Sequence, residues 1–496
     1  MAIEHPPTTG SDAGRARLVR YRLAGIVALL VLLGALATLG ALTANQSSSW
    51  FPKQWDPRIA PITATVSRVR GLDFKHPVPV RFLPADKFAK EVGGAGSTPS
   101  SSERADTARL GAELRALGLL GGRVDFAQAT STANGAGVLA FYNPDHKEIV
   151  VRGSTLDVAH QVTIAHELTH VLQDQNFDLS KLQKRAADSP TADSDAFQAL
   201  VEGDAVRVQD LFVKSLSVAD QQEYARENET DARRIQREEG AKVPAIVDTL
   251  FSAPYVLGSA TAEVLAATGG NNAINRALTG PSPFSRLFVA PADLTPGRVV
   301  AAPGRPPGTE ADGKPQPFGP YELYLTLAMQ LPPGRALEAA DGIAGGNSVA
   351  YRRGNTICYA VALAPTTSRA AEFVGRAVQD WARAQRTATL DPGSGLVRFH
   401  VCDPGASAPE PPSARFDALQ SLLELRTGIA IGAAHDGLTT GLARCVARVF
   451  VMQPGAVTTA LAVGNSTPSP DQEARIQQAA TVAGSACRAD ANAGLP

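Results

Sequence analysis

The segment His166-Glu167-Leu168-Thr169-His170 sets two imidazoles four residues apart with a carboxylate between them. On a helix, residues at that spacing share a face. Both imidazoles can therefore reach one metal ion, with Glu167 at its edge. Two nitrogen donors and an adjacent base are the parts needed to hold a hydrolytic metal and take a proton from water beside it. Zinc, one ion per chain, is the expected cofactor, because a catalytic zinc site uses three protein ligands and keeps a fourth position for water. A third donor is expected from Glu202, 32 residues beyond His170, which follows the apolar run Ala199-Leu200-Val201. An unpaired carboxylate is costly to bury there, and a metal ion would remove that cost. An exposed position or an ion pair with Arg207 would account for Glu202 as well. Asp174, Asp178 and Asp195 are other oxygen donors, but they fall in turns or at helix ends where solvated or capping roles explain them.

These side chains need rigid elements to carry them. TLDVAHQVTIAHELTHVLQDQ reads as one helix, with Ser154 or Thr155 as its cap and Asp157 in its first turn. DAFQALVEGDAVRVQDLFVKSL (195–216) reads as a second, capped by Ser194 or Asp193, after a polar connection over 181–195. Ahead of the metal helix, GVLAFYNPDHKEIVVRG (137–153) carries two apolar runs around Asn143-Pro144-Asp145-His146. That is turn chemistry and predicts a β-hairpin leading into the helix, with His146 exposed at its tip. A strand within 78–88 and a helix over 103–120 precede the hairpin. The stretch from 241 onward predicts two helices broken at Pro254-Tyr255.

AHELTHVLQDQ followed by ALVEGDA resembles the gluzincin branch of the zincin metallopeptidases, and the layout matches bacterial membrane-anchored HELTH proteins to about residue 300. The resemblance implies a mainly helical catalytic domain with a small sheet. It makes His166, His170 and Glu202 the zinc ligands, Glu167 the general base, and a peptide or protein the substrate, paired as an added strand on a sheet edge beside the metal helix. Such enzymes also use a hydrogen-bond donor outside the motif to stabilise the oxyanion; Tyr255 is the candidate, with core packing as its plainer explanation. There is one departure. The family pattern places an Asp four residues after the third ligand to orient a histidine, and Val206 stands there. Asp204 is the available second-shell carboxylate, but two residues along a helix is a different face; the intervening Gly203 bears on whether the geometry is reachable.

The rest of the 496-residue chain sets the context. Leu23–Ala44 is a 22-residue run without charge, long enough to cross a bilayer, and Arg15, Arg17, Arg20 and Arg22 precede it. The expectation is a single-pass anchor in the cell membrane with residues 1–22 cytoplasmic, a stalk over 45–58, and everything beyond extracytoplasmic; a cleaved signal peptide is the competing reading. All four cysteines, Cys358, Cys402, Cys445 and Cys487, lie on the outer side and lack C-x-x-C spacing, so disulfides are expected. Three pairings are possible, and Cys358–Cys402 with Cys445–Cys487 keeps each bond within one segment. The segments are a metallopeptidase domain (59–300), a linker or long loop (301–318), an α+β region (319–404), a Pro-rich linker (405–414) and a mainly helical C-terminal region (415–496), in which VFVMQPGAVTTALAV is expected to be extended. The fold class is α+β. With 47 basic against 48 acidic side chains there is no electrostatic case for nucleic acid, and no phosphate loop or G-x-S-x-G elbow is present. Oligomeric state is not legible. A function from another class fits too: a cell-envelope binding or scaffold protein with a structural metal, for which His160 is the nearby candidate fourth ligand.

Overall fold

The computed structural model describes residues 51–92, 101–135, 138–189, 194–238, 243–385, 388–391, 395–463 and 468–492. The expected anchor over Leu23–Ala44, the tail before it and residues 45–50 of the stalk lie outside them.

Elements follow in chain order as α1 (Ala60–Arg70), β1 (Val80–Leu83), α2 (Ala85–Val92), α3 (Ser101–Ala116), α4 (Phe126–Gly135), β2 (Ala140–Asn143), β3 (Glu148–Arg152), α5 (Val158–Phe177), α6 (Leu179–Ala187), α7 (Ser194–Ser215), α8 (Val218–Glu238), α9 (Ala245–Thr279) and α10 (Arg286–Val289). They continue as β4 (Glu310–Ala311), β5 (Gln316–Pro317), α11 (Pro320–Ala328), α12 (Pro333–Asp341), β6 (Ile343–Arg353), β7 (Thr356–Pro365), α13 (Ser368–Ala384), β8 (Ala388–Asp391), β9 (Val397–Cys402), α14 (Ser413–His435), α15 (Thr440–Val451), α16 (Pro454–Val463) and α17 (Pro470–Asn492). The α+β class is as expected.

The first sheet has the order β1-β3-β2, with β1 parallel and β2 antiparallel to β3. β2 is an outer strand, and it packs against α5. The HELTH helix α5 starts later than expected. Asp157, not Ser154 or Thr155, is its cap, and its carboxylate accepts from the His160 N–H. At the other end Asp178 takes a left-handed conformation (φ 58°) and its side chain caps α6, so one residue stops one helix and starts the next. Part of the connection expected over 181–195 is thus helical.

Two hydrophobic cores divide the molecule. The smaller joins Ile59, Ile62 and Val66 of α1, Ile149 and Val151 of β3, Val162, Leu168 and Leu172 of α5, and Val208 and Phe212 of α7. The larger runs from Leu114 of α3 through Phe197 and Val201 of α7, α9, α11 and the second sheet to Cys487 of α17. The seam between them passes through α7, whose first half packs into one core and whose second half packs into the other. It does not fall at 301–318. That stretch holds β4 and β5, both paired with β6, so it is part of the second sheet, of order β4-β6-β7-β9-β8. Residues 405–414 are likewise tied back, with the Gly122 N–H donating to the Ala408 carbonyl at 3.1 Å.

Two other expectations are corrected. α9 continues through Pro254-Tyr255, and its break lies at Gly269 and Gly270, the latter at φ 61°. VFVMQPGAVTTALAV is helical, forming the end of α15 and α16. Among the described residues α9 is the one continuous helix long and apolar enough to span a membrane, and 67% of its most apolar window is buried inside the protein, as in a core helix.

Both disulfides pair as expected. Cys358 and Cys402 face each other directly across β7 and β9, and Cys445–Cys487 joins α15 to α17. The second closes a loop over a sequence separation of 42, which by loop-closure entropy corresponds to about 4 kcal/mol. Replacing Cys445 and Cys487 by alanine is expected to lower the unfolding free energy by about 2–4 kcal/mol in a denaturant titration.

Candidate metal centre

α5 and α7 cross in the seam, and each turns its polar residues toward the other. His166 Nε2 lies 3.1 Å and His170 Nε2 3.4 Å from Glu202 Oε2. Among the described residues these three form the one group of His, Cys, Asp or Glu side chains whose ligand atoms lie within 4.8 Å of one another, and it could hold a metal ion. All are buried: His166 is 3%, His170 7% and Glu202 0% exposed, with Glu167 at 2%. The other Glu202 oxygen accepts from Gln198 Nε2 at 2.5 Å. Arg207 instead donates to Asn271 Oδ1, which removes the ion pair that would have explained Glu202 without a metal.

Charge among the three donors follows from this packing. Burial alone would raise the Glu202 carboxyl, but the His170 charge and the two imidazole hydrogen bonds outweigh it and hold it at about 2. Burial would lower His170, and Glu202 outweighs that too, lifting it to about 9. A positive charge between the donors is what this arrangement stabilises.

Glu167 points to the sheet. Its Oε2 accepts the backbone N–H of Tyr142 on β2 at 2.8 Å, while its Oε1 is buried without a hydrogen-bond partner. Burial raises its carboxyl above the usual range, against the opposing pull of His166 and His170. The hairpin that supplies this N–H is fastened to α5 by a second contact: Asp174 Oδ2 accepts from the Tyr142 hydroxyl and from Lys147 Nζ, each at 2.6 Å.

Tyr255 enters from α9. A Cβ on Gly203 would lie 2.2 Å from the Gly258 carbonyl carbon, and one on Gly258 would lie 2.1 Å from the Ala199 carbonyl oxygen. The two helices therefore touch by backbone at these glycines, which brings Tyr255, about one turn before Gly258, against the residue before Gly203, Glu202. The Tyr255 ring lies 6.3 Å from that of His166 at an interplanar angle of 27°. Its hydroxyl is buried, and burial, followed by the Glu202 and Glu167 charges and an interaction with the Glu202 side chain, keeps it protonated, far above the ordinary tyrosine range.

Asp204 does not touch a histidine. Gln173 stands between: His170 Nδ1 is 2.9 Å from Gln173 Oε1, and Gln173 Nε2 donates to both Asp204 Oδ2 and the Val201 carbonyl at 2.9 Å. Arg70 Nε pairs with Asp204 Oδ2 at 2.8 Å, both side chains fully buried, and Arg70 Nη2 donates to Asn275 Oδ1. Val206 packs on Tyr255 and Phe251, and His166 Nδ1 has no partner among the described residues.

Sequence reasoning missed Gln173, Arg70 and Tyr142. Gln173 carried a signal, being three residues beyond His170 on the same helical face. Arg70, in the last turn of α1, read as an ordinary helix-end cation, and nothing local marked a backbone N–H on β2. The other described histidines are elsewhere engaged or exposed. His160 sits between Asp157 and the Arg152 carbonyl, His400 between Asp391 and Tyr351, and His146 and His435 are on the surface.

No protein-family model, no curated protein and no solved structure matches this chain. The chemistry must be read from the centre itself.

Because the neighbours of the Gly203 and Gly258 Cβ positions are backbone atoms, neither side can yield by rotating a side chain. Gly203→Ala is expected to cost about 3 kcal/mol, at the upper end of overpacking penalties, read as a lowered midpoint in thermal unfolding.

Proposed function

We propose that the protein is a zinc-dependent endopeptidase, anchored in the cell membrane by Leu23–Ala44, with its catalytic centre outside the cytoplasm. The observation that carries this reading is the convergence of three buried donors, His166, His170 and Glu202, beside a carboxylate, Glu167, that retains one unpartnered oxygen. Tetrahedral ligands at zinc–nitrogen and zinc–oxygen distances of about 2.0–2.1 Å stand about 3.3 Å apart; the two shorter donor separations here are 3.1 and 3.4 Å. Two imidazoles and one carboxylate also suit a borderline-soft ion better than calcium or magnesium.

When bound, zinc supplies Lewis acidity that makes a water acidic enough to lose its proton near neutral pH. The rest belongs to the chain. Glu167 takes that proton on Oε1, while the Tyr142 N–H holds Oε2 and fixes the carboxylate plane. The raised Glu167 carboxyl can keep the proton long enough to hand it to the leaving amine. Tyr255, held protonated, donates its hydroxyl to the oxyanion that develops on the scissile carbonyl. β2, an outer strand beside α5, offers its edge to an extended peptide. Two disulfides agree with an oxidising compartment.

One observation favours a second reading. Donors exposed by 0–7% suit a metal that only clamps α5 to α7 in a cell-envelope scaffold. A closed structural site uses four protein ligands, however, and His160, the candidate fourth, is held by Asp157 and Arg152.

Metal analysis of the full chain should return about one zinc per molecule. Glu167→Gln is expected to keep the zinc and lose about 10²–10⁴-fold in cleavage of a mixed peptide library. Undiminished cleavage by that variant would remove the mechanism. A parent protein that binds zinc and cleaves nothing would leave the scaffold reading.

A further inference from the structure

Gln173 has both ends of its amide committed. Its Nε2 faces two acceptors, the Val201 carbonyl and Asp204 Oδ2, each at 2.9 Å. The carbonyl can only accept, and Asp204 is paired with the Arg70 guanidinium in a setting where both side chains are fully buried. The NH₂ end must therefore point at them, and the oxygen end must face His170 Nδ1, 2.9 Å away. An amide oxygen only accepts, so His170 carries a hydrogen on Nδ1, which leaves Nε2, on the Glu202 side, as the nitrogen that can give its lone pair to a metal. His166 has no counterpart of this support, since its Nδ1 is unpartnered and Val206 occupies the place of the family's orienting carboxylate.

We propose that Gln173 is the positioning residue of this centre: held by Asp204, Arg70 and the Val201 carbonyl, it fixes the tautomer and ring orientation of His170 for metal binding. The chain of contacts runs from a metal ligand on α5 through α7 to α1, and Asn275 of α9 holds its far end. Asp204 acts one residue removed from the histidine, which explains how a carboxylate on the wrong face for direct contact still serves the site. Arg70 supplies the charge that lets Asp204 be buried there.

The proposal rests on the metal reading of the centre, and the test separates the two. Zinc affinity of the full chain is measured by competition with a chromophoric chelator, alongside circular dichroism and thermal unfolding of the metal-free protein. Gln173→Met keeps the length of the side chain and removes both hydrogen-bonding ends. It should weaken zinc binding about 10–100-fold, the range for loss of an orienting partner, while the metal-free variant retains its helical signal. In the zinc-loaded parent, imidazole nitrogen NMR shifts should show His170 protonated on Nδ1 and bound through Nε2, the tautomer that the Gln173 oxygen enforces. A folded Gln173→Met protein that binds zinc as tightly as the parent would overturn the proposal. If that variant does not fold, the nitrogen shifts of the parent decide: a hydrogen on His170 Nδ1 with zinc on Nε2 supports the positioning role, and zinc bound through Nδ1 refutes it. A parent chain that binds no zinc would instead refute the metal reading on which the proposal stands.

Discussion

A carboxylate with no exposure to solvent, Glu202, imposes the central constraint. A buried charge of this kind is tolerated only where opposite charge or hydrogen-bond donors meet it, and here the two imidazoles of α5 do so, with Gln198 on its other oxygen. Much of the surrounding architecture serves that meeting. α7 belongs to both hydrophobic cores, and the place where it passes from one to the other is the place where a polar cluster can be enclosed without interrupting either. Bare-backbone contact at Gly203 and Gly258 then closes the third side by bringing α9 and Tyr255 in.

Around this centre the polar groups are paired selectively. Asp174, Lys147 and the Tyr142 hydroxyl tie the hairpin down, and Arg70, Asp204 and Gln173 tie α1 to α5 and α7. Both sets are scaffolding. Pairing is incomplete in both places: His166 Nδ1 and Glu167 Oε1 lack partners at the centre, as do Arg70 Nη1 and Asp204 Oδ1 in the second set. Native interiors satisfy the great majority of their buried polar atoms, so these are the points where the packing leaves polar capacity unused. The unsupported His166 and the supported His170 also make the centre asymmetric.

The second half of the chain has a different part. Its sheet and the Cys445–Cys487 disulfide share one continuous core with α3, α7 and α9, whereas Cys358 and Cys402 pack in a separate small cluster with Val349, Tyr351 and Ala360. The large core therefore includes residues of the two helices that carry Glu202 and Tyr255. A Pro- and Gly-rich stretch at 301–318 looked like a boundary because its composition suits loops; backbone pairing of β4 and β5 to β6 makes it part of the sheet.

How much could be read without coordinates follows the range of each interaction. HELTH, the hairpin ahead of it and the helix bearing Glu202 were legible, because helical periodicity, turn residues and the spacing of a motif are local properties, whereas the sequence left three disulfide pairings open and the fold selects one. The start of α5 was misjudged by two or three residues, since Ser154, Thr155 and Asp157 can all cap and only the packed helix selects among them. That Glu202 faces the histidines and not Arg207 depends on how α7 sits in two cores. Gln173 lay in plain view three residues from His170, yet its meaning came from Asp204 on α7 and Arg70 on α1, 134 positions earlier in the chain than Asp204. Tyr255 reaches the centre only because two glycines 55 positions apart meet backbone to backbone. The residue types able to do chemistry were thus determined by the sequence alone, whereas their partners, orientation and burial were decided by tertiary structure, because each depends on groups brought together from distant parts of the chain.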